Sequence, residues 1–284
     1  MQFNAWPVEI GTPTCIEGLK VFPLFSERLQ PVEYELSDQA IKARTLVIEE
    51  VSKAGSVPRL LARNHSQRRV LLAEGEQLIG AKQNRITNRT ILLAAKTETV
   101  IPVSCMEQGR WHHVSEEFRS RPKPRHAPPR VRRKAREVEA MYAAAPARAG
   151  VSVLNQAQGR VWNEIADVSS ALGVDSATGA MDEVYERHTE RLDEWIARFP
   201  RVEDQVGLLA FLGRRPLGLD VVGGHALYAR LHERFLGGYC MDALARHRVR
   251  KSGDGGRREL RPDAAERFLS DVGSAPRGVA PTVG

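Results

Sequence analysis

Through its first 115 residues the chain has no apolar run longer than a strand, and each run gives way to a polar or glycine-bearing segment. The runs fall at residues 19–25, 45–51, 60–63, 70–73, 91–95 and 99–103, with an alternating polar and apolar stretch at 77–87. That punctuation predicts roughly eight short strands, a number typical of a sandwich or barrel-like sheet. Pro23 has no N–H to give a ladder, so residues 19–25 are expected at an edge or a bulge. Residues 64–67, Asn-His-Ser-Gln, read as a hairpin-like link between two strands. Alternation along 77–87 sets Leu78, Gly80, Lys82, Asn84 and Ile86 on one side of a single strand, with Gln83 and Arg85 on the other.

At residue 118 the character changes. Residues 118–135 carry four prolines and no aromatic residue, and between Arg119 and Arg136 stand nine Lys or Arg and no acid. Removing those nine from the net charge of +7 leaves −2, so the rest of the chain is nearly neutral. Such a segment buries too little apolar surface to offset chain entropy, and a mobile loop is expected. Three uses are open to it: a solubilising loop, a nucleic-acid surface through residues 119–136, or a cationic lid over an anionic substrate. It lacks the interleaved aromatics that stack on single-stranded bases.

Helical periodicity follows over 136–247. One apolar stripe runs from Leu154 to Leu172 and ends at Gly173; a second runs over 181–199 and stops at Pro200. A hairpin at 206–222 is expected to return to the first sheet, before a last helix interrupted near Gly237-Gly238. The reading is one α+β domain over 15–247: β-rich over 15–115, then helices packed on that sheet, with a disordered tail at 248–284. At 284 residues, 42% hydrophobic and 27% charged, the chain can bury a sizeable core. No stretch has the length of a membrane span and the N-terminus lacks a signal-peptide pattern. Three widely spaced cysteines fit a reducing cytoplasm.

Candidate chemistry is concentrated in residues 74–111. Glycines at 75, 80 and 109 fit tight turns or a close backbone approach to a ligand. Glu74 and Glu76 are two apart, so on a strand they share a face where a divalent metal or a shared proton would fit, against the alternative of a solvated turn. Lys82, Gln83, Asn84, Arg85 and Asn88 make a run of cations and amides suited to phosphates and ribose hydroxyls, or else an exposed twisted strand. There is no phosphate-loop or dinucleotide glycine motif. Cys105 beside Glu107 and His112 or His113 is either a thiol nucleophile with its base or a small buried hydrophobe.

The wording of this stretch is more specific than its composition. GEQLIGAKQNR at 75–85, Asn88 with Thr90, and IPVSCMEQGRW at 101–111 resemble the signature of the ADP-ribosylglycohydrolase- and rhodanese-phosphatase-associated protein domain, a prokaryotic and phage family. The similarity runs from about Leu19 to Leu244 and takes in Trp162, residues 178–181, 205–207 and 218–220. The resemblance implies a link to ADP-ribose and NAD metabolism. On it, Glu76 and Glu107 are expected as acid/base or metal-holding groups. Lys82, Arg85 and Arg110 are expected on a pyrophosphate, Gln83, Asn84 and Asn88 on ribose hydroxyls, Trp111 at the site, and Asp220 as a further member. The expected partner is a nucleotide-type small molecule, with a hydrolase or transferase activity on ADP-ribose- or NAD-derived substrates, or binding alone; the alternatives are a nucleic-acid-binding protein acting through residues 119–136 and an interaction module without catalysis.

Overall fold

The computed structural model describes residues 8–27, 33–53, 55–144, 151–250, 260–261 and 263–274. Its elements divide between two compact units, one drawn from the described parts of Met1–Val32 and Glu190–Pro281, the other from Glu33–Thr189. The chain opens in the first unit with β1 (Glu9–Ile10), β2 (Thr14–Ile16) and β3 (Leu19–Phe25). The second unit then runs through β4 (Tyr34–Leu36), α1 (Ser37–Lys42), β5 (Leu46–Glu50), β6 (Arg59–Asn64) and β7 (Arg69–Leu72). It continues with β8 (Gln77–Gly80), β9 (Arg85–Thr87), β10 (Ile91–Leu93), β11 (Glu98–Cys105) and β12 (Phe118–Arg119). The helices α2 (Pro129–Ala144), α3 (Val151–Leu172) and α4 (Met181–Arg187) complete it. The chain returns to the first unit with α5 (Thr189–Ala197), β13 (Gly207–Leu212), β14 (Arg215–Val221), α6 (His225–Arg250) and α7 (Ala264–Ser274).

The protein is α+β, with strands filling the N-terminal half and helices mostly in the C-terminal half. In the second unit six strands run in the order β12-β8-β9-β11-β6-β5. A bridge between Glu49 and Glu117 links the two ends, so the sheet nearly closes into a barrel. Its interior face carries Ile48, Leu60, Leu78, Ile101, Val103 and Phe118, all buried. Each such side chain stabilises the fold by about 1.5–3 kcal/mol relative to leaving it in water. Helices α2 and α3 pack on β11. A smaller sheet, β10-β7-β4, includes the parallel β4–β7 pair.

In the first unit β13 pairs with both β3 and β14, giving the order β1-β3-β13-β14, with β2 also on β3. Phe22, Leu24, Leu209, Phe211 and Ala265 form its buried core, with Phe268 and Leu269 of α7 against it.

Several expectations are corrected here. Pro23 is not at an edge: β3 lies between β1 and β2 on one side and β13 on the other. Pro23 O accepts from Gly11 N at 2.9 Å, and its nitrogen faces the same way, into the gap that β1 and β2 leave between them. The hairpin at 206–222 forms, but it joins β3 and not the six-stranded sheet. Residues 64–67 do not link paired strands, because β6 pairs with β5 and β11 while β7 pairs with β4 and β10. The single strand expected over 77–87 is a hairpin, β8 against β9, with Leu78 opposite Arg85. Gly80 at φ +126 and Ala81 at φ +43 turn the chain there.

Residues 118–135 are not loop throughout: 118–119 lie in β12 and 129–135 in the first turns of α2, joined by the irregular stretch 120–128, and Arg125, His126, Val131 and Arg132 are buried. Pro129 stands at the first position of α2, where its fixed φ and missing N–H cost nothing. The excess positive charge is compensated by acids distant in sequence: Arg121 pairs with Asp182 and Glu186, Arg130 with Glu164, and Arg136 with Glu74. The last long helix, α6, passes through Gly237-Gly238 unbroken. Of the tail from 248, residues 251–259, 262 and 275–284 lie outside the described residues, and α7 occupies part of what was expected to be disordered.

Candidate functional site

Two loops meet at one end of the barrel sheet: the turn closing the β8–β9 hairpin and the loop leaving β11. Met106 N donates to Asn84 O at 2.9 Å, Gln83 Nε2 to Glu107 O at 2.7 Å, and Arg110 Nη1 to Ala81 O at 2.7 Å. The glycines of this region approach protein. A Cβ on Gly80 would lie 2.4 Å from Ser115 Oγ, one on Gly109 would lie 2.9 Å from Thr178 Cα, and one on Gly75 would meet the Arg132 side chain.

Glu107 and Arg110 anchor the junction. Glu107 Oε2 accepts from Arg110 Nε and Nη2 and from Asn84 N, and its Oε1 accepts from Thr178 Oγ1 at 3.0 Å. Burial raises the Glu107 pKa, but Arg110, the Asn84 N–H and Thr178 together outweigh it and hold the carboxyl below its ordinary value. Arg110 Nη1 serves Ala81 O and His112 O, and Nη2 also reaches Asn84 Oδ1 at 3.2 Å. All five N–H groups of Arg110 therefore have internal acceptors. Arg110, Glu107 and Asn84 hold the two loops in register.

Beside this clamp lies a second buried pair. Arg85 is fully buried; its Nη1 donates to Gln83 O and Oε1, and its Nη2 stands 3.5 Å from Glu50 Oε1. Gln83 Oε1 also accepts from Cys105 Sγ at 3.0 Å. Among the described residues neither Arg85 Nε nor Glu50 Oε2 has a hydrogen-bond partner, although both atoms are buried. Each such orphan costs about 1–3 kcal/mol. Over this pair sits Trp111, 47% exposed, with Lys82 Nζ 5.4 Å and Arg85 Cζ 5.8 Å from its ring centroid. The cluster thus buries three cations, Lys82, Arg85 and Arg110, against two carboxylates, Glu50 and Glu107.

Glu76 stands apart from these contacts. It is buried at the start of the β8–β9 hairpin, where its partners include Ser37 Oγ, Ala73 N and Thr87 Oγ1. Opposite Thr87 in the ladder, it lies several residue steps from Glu107, which is beyond the Cys105–Arg85 pair. Glu74 turns away and accepts from Arg136 at 3.3 Å, so the two acids do not form a shared face. Asn88 is buried with no hydrogen bond on either side-chain atom among the described residues. Cys105 is a buried thiol whose pKa burial pushes up to about 11, and His112 and His113 are exposed, so no thiol–base pair forms. Asp220 lies in the other unit and accepts from Tyr239 at 2.7 Å. No group of three or more His, Cys, Asp or Glu among the described residues is placed to hold a metal ion.

Sequence reading missed Glu50 and Gln158, and it placed Thr178 within the resemblance without giving it a part in the site. Gln158 of α3 caps the end of β11 in both directions, accepting from Cys105 N at 3.1 Å and donating to Cys105 O at 3.0 Å. Glu50 closes an apolar strand and reads locally as a solvated strand end; its ion pair exists only once β5 is curled round to β9.

Fold and site together define an α+β protein with a buried cluster of charges and amides at the end of a nearly closed sheet. The family model for the ARG and Rhodanese-Phosphatase-superfamily-associated Protein domain matches residues 7–284, so the chain belongs to that family. The match extends past the 19–244 span of the sequence resemblance and includes the basic segment. No curated protein and no solved structure matches the chain. Among the described residues no helix is long and apolar enough to cross a membrane.

Proposed function

We propose that the protein binds an anionic nucleotide of the ADP-ribose or NAD type at the Trp111 end of the cluster. One observation carries this reading: a half-exposed indole rests against Lys82 and Arg85 at the edge of a buried group with one cation more than it has carboxylates. An exposed aromatic face stacks on a base, and an adjacent cation meets phosphate oxygens. The family name, which records an association with ARG and rhodanese-phosphatase superfamilies, supports the same ligand class. In this reading Trp111 and Lys82 touch the ligand. Glu107, Arg110, Gln83 and Asn84 position the loop that carries them, because their polar atoms already serve one another.

Thermal-shift titration of the full chain tests this. ADP-ribose or NAD at a hundred times Kd is expected to stabilise by about 2.7 kcal/mol, and at the same concentration the shift is expected to shrink in Trp111→Ala to between about 0.3 and 1.8 kcal/mol. No shift with either nucleotide, with and without magnesium, would end the proposal.

A further inference from the structure

We propose that the end of the barrel sheet opposite the candidate site binds the phosphate backbone of a double-stranded nucleic acid, through Arg44, Arg68 and Lys96 with Lys42 and Arg69 beside them. This surface is separate from the nucleotide site proposed above and does not depend on it.

Three loops meet at that end, where β5 and β11 begin and β6 stops. His65 N donates to Thr45 O at 2.7 Å, and Lys96 N donates to Ser66 O at 3.2 Å. Asn64 Nδ2 donates to Arg68 O and to Ala94 O, at 2.8 Å each. These bonds gather residues 42–45, 64–69 and 94–97 around Asn64. The three segments hold five Lys or Arg and no acid, and all five cations are exposed. Glu98, at the start of β11, and Glu49 of β5 are both engaged by Arg63. The five cations make no ion pair among the described residues, whereas Arg121, Arg130 and Arg136 of the basic run each face an acid. Divided among three segments, this cationic surface leaves no basic run in the sequence.

Two of the five stand on left-handed backbone, Arg44 at φ +57 and Lys96 at φ +58. Glycine is the relaxed residue in that conformation, so a long basic side chain is kept at both positions against a conformational cost. A merely solubilising charge would sit equally well on a neighbouring residue.

The chemistry of the surface selects the partner. The three segments expose no Phe, Tyr or Trp and no large apolar side chain, so they offer nothing to stack on unpaired bases or to enter a lipid layer. Three of the five cations are Arg, whose planar fork meets two phosphate oxygens at once, and exposed Gln67 adds an amide donor. Polar donors on loops tied together by backbone bonds suit the fixed phosphates of a duplex, bound without base contacts.

Fluorescence anisotropy of the full chain with labelled duplex DNA and duplex RNA of arbitrary sequence tests this. At least one duplex is expected to bind, with a slope of log K against log salt of about −3 or steeper for DNA. In the double variant Arg44→Gly, Lys96→Gly that slope is expected to become shallower by about 1.8, the share of two phosphate contacts. Glycine relieves the left-handed backbone at both positions, so an unchanged melting temperature separates lost affinity from lost fold. Arg68→Gln, with a change of about 0.9, decides the matter if the double variant does not fold. Arg119→Gln with Arg133→Gln, in the basic run, is expected to leave affinity unchanged; a loss confined to that pair would overturn the proposal. So would no duplex binding at about 50 mM salt, tighter binding of single strands than of duplexes, or wild-type affinity in the glycine and Arg68→Gln variants. Vesicles of anionic phospholipid that bind where neither duplex does would overturn it as well, and would assign the surface to a membrane.

Discussion

Arg110 closes on Glu107 with two nitrogens on one oxygen, Nε at 2.9 Å and Nη2 at 2.6 Å, while its remaining N–H groups serve the carbonyls of Ala81 and His112 and the amide of Asn84. One side chain therefore ties the β8–β9 turn to the loop after β11. Arg110→Ala leaves the Glu107 carboxylate buried without its cation, and removing one partner of a buried pair costs about 3–5 kcal/mol. Urea denaturation should show a lower midpoint at unchanged slope. Arg110→Lys keeps the charge but loses the planar fork, and most of that loss is expected to remain. Near-wild-type stability in both variants would show that the loops are held by something else.

Two groups with lowered pKa values, His232 and Glu107, give stability two separate pH windows. His232 donates or accepts at Tyr228 Oη (3.0 Å) and at Phe199 O (2.9 Å). Because a carbonyl cannot donate, Nε2 carries the proton and Nδ1 accepts from Tyr228. Burial lowers the His232 pKa below 6.5, with the Phe199 carbonyl opposing it less strongly. The unfolded chain then takes up the proton first, so stability is full above 6.5 and declines as pH falls below it, down to the folded value. Glu107 also has a lowered pKa, so its contribution is present above its ordinary value of 4.5 and is lost as pH falls through the folded value. Melting curves taken downward from about pH 7 are expected to fall in two stages. In His232→Gln the upper stage should disappear; its persistence would assign the slope to another group.

What was legible in the chain was whatever depended on near neighbours. Leu19–Phe25 is a strand with the predicted ends, and α3 stops before Gly173, which sits at φ +66. The loops carrying Lys82, Gln83, Asn84, Glu107 and Arg110 do meet, as their crowding in one stretch implied. Illegible was whatever needed a distant partner. Arg121 looks like one more cation in a disordered strap until Asp182 and Glu186 face it across some sixty residues of chain. Glu76 carries the family motif yet accepts from Ser37 at the start of α1, 39 residues earlier in the chain. The alternation over 77–87 misled for a different reason: a period of two persists in sequence even where a glycine at positive φ folds the strand back on itself.

The cysteines should separate sharply by reactivity. Cys105 and Cys240 are buried, and the Cys105 thiol is pushed up to about 11 by burial, whereas Cys15 on β2 is exposed. A thiolate reagent near neutral pH is expected to label Cys15 alone in the folded chain and all three in urea. Cys105→Ser is expected to keep whatever ligand binding the wild type has. Rapid native labelling of Cys105, or a binding loss in Cys105→Ser without loss of fold, would return that thiol to the list of active groups.

Trp111 offers the cleanest separation of binding from folding. Its side chain is 47% exposed, far more than any other member of the cluster, so truncation removes little buried surface. Trp111→Ala is expected to shift stability by no more than about 1 kcal/mol. Stacking of a base on an aromatic ring is worth about 1–3 kcal/mol, so nucleotide affinity should fall by roughly five- to 150-fold in the same variant. Lys82→Met removes the neighbouring charge and keeps the stem; affinity should fall again, and the fall should shrink as salt is raised, because the lost term is electrostatic. The chain has four tryptophans, so comparing ligand-induced fluorescence changes in wild type and Trp111→Ala assigns the quenched indole. Binding that survives both substitutions unchanged would move the ligand away from this end of the sheet altogether.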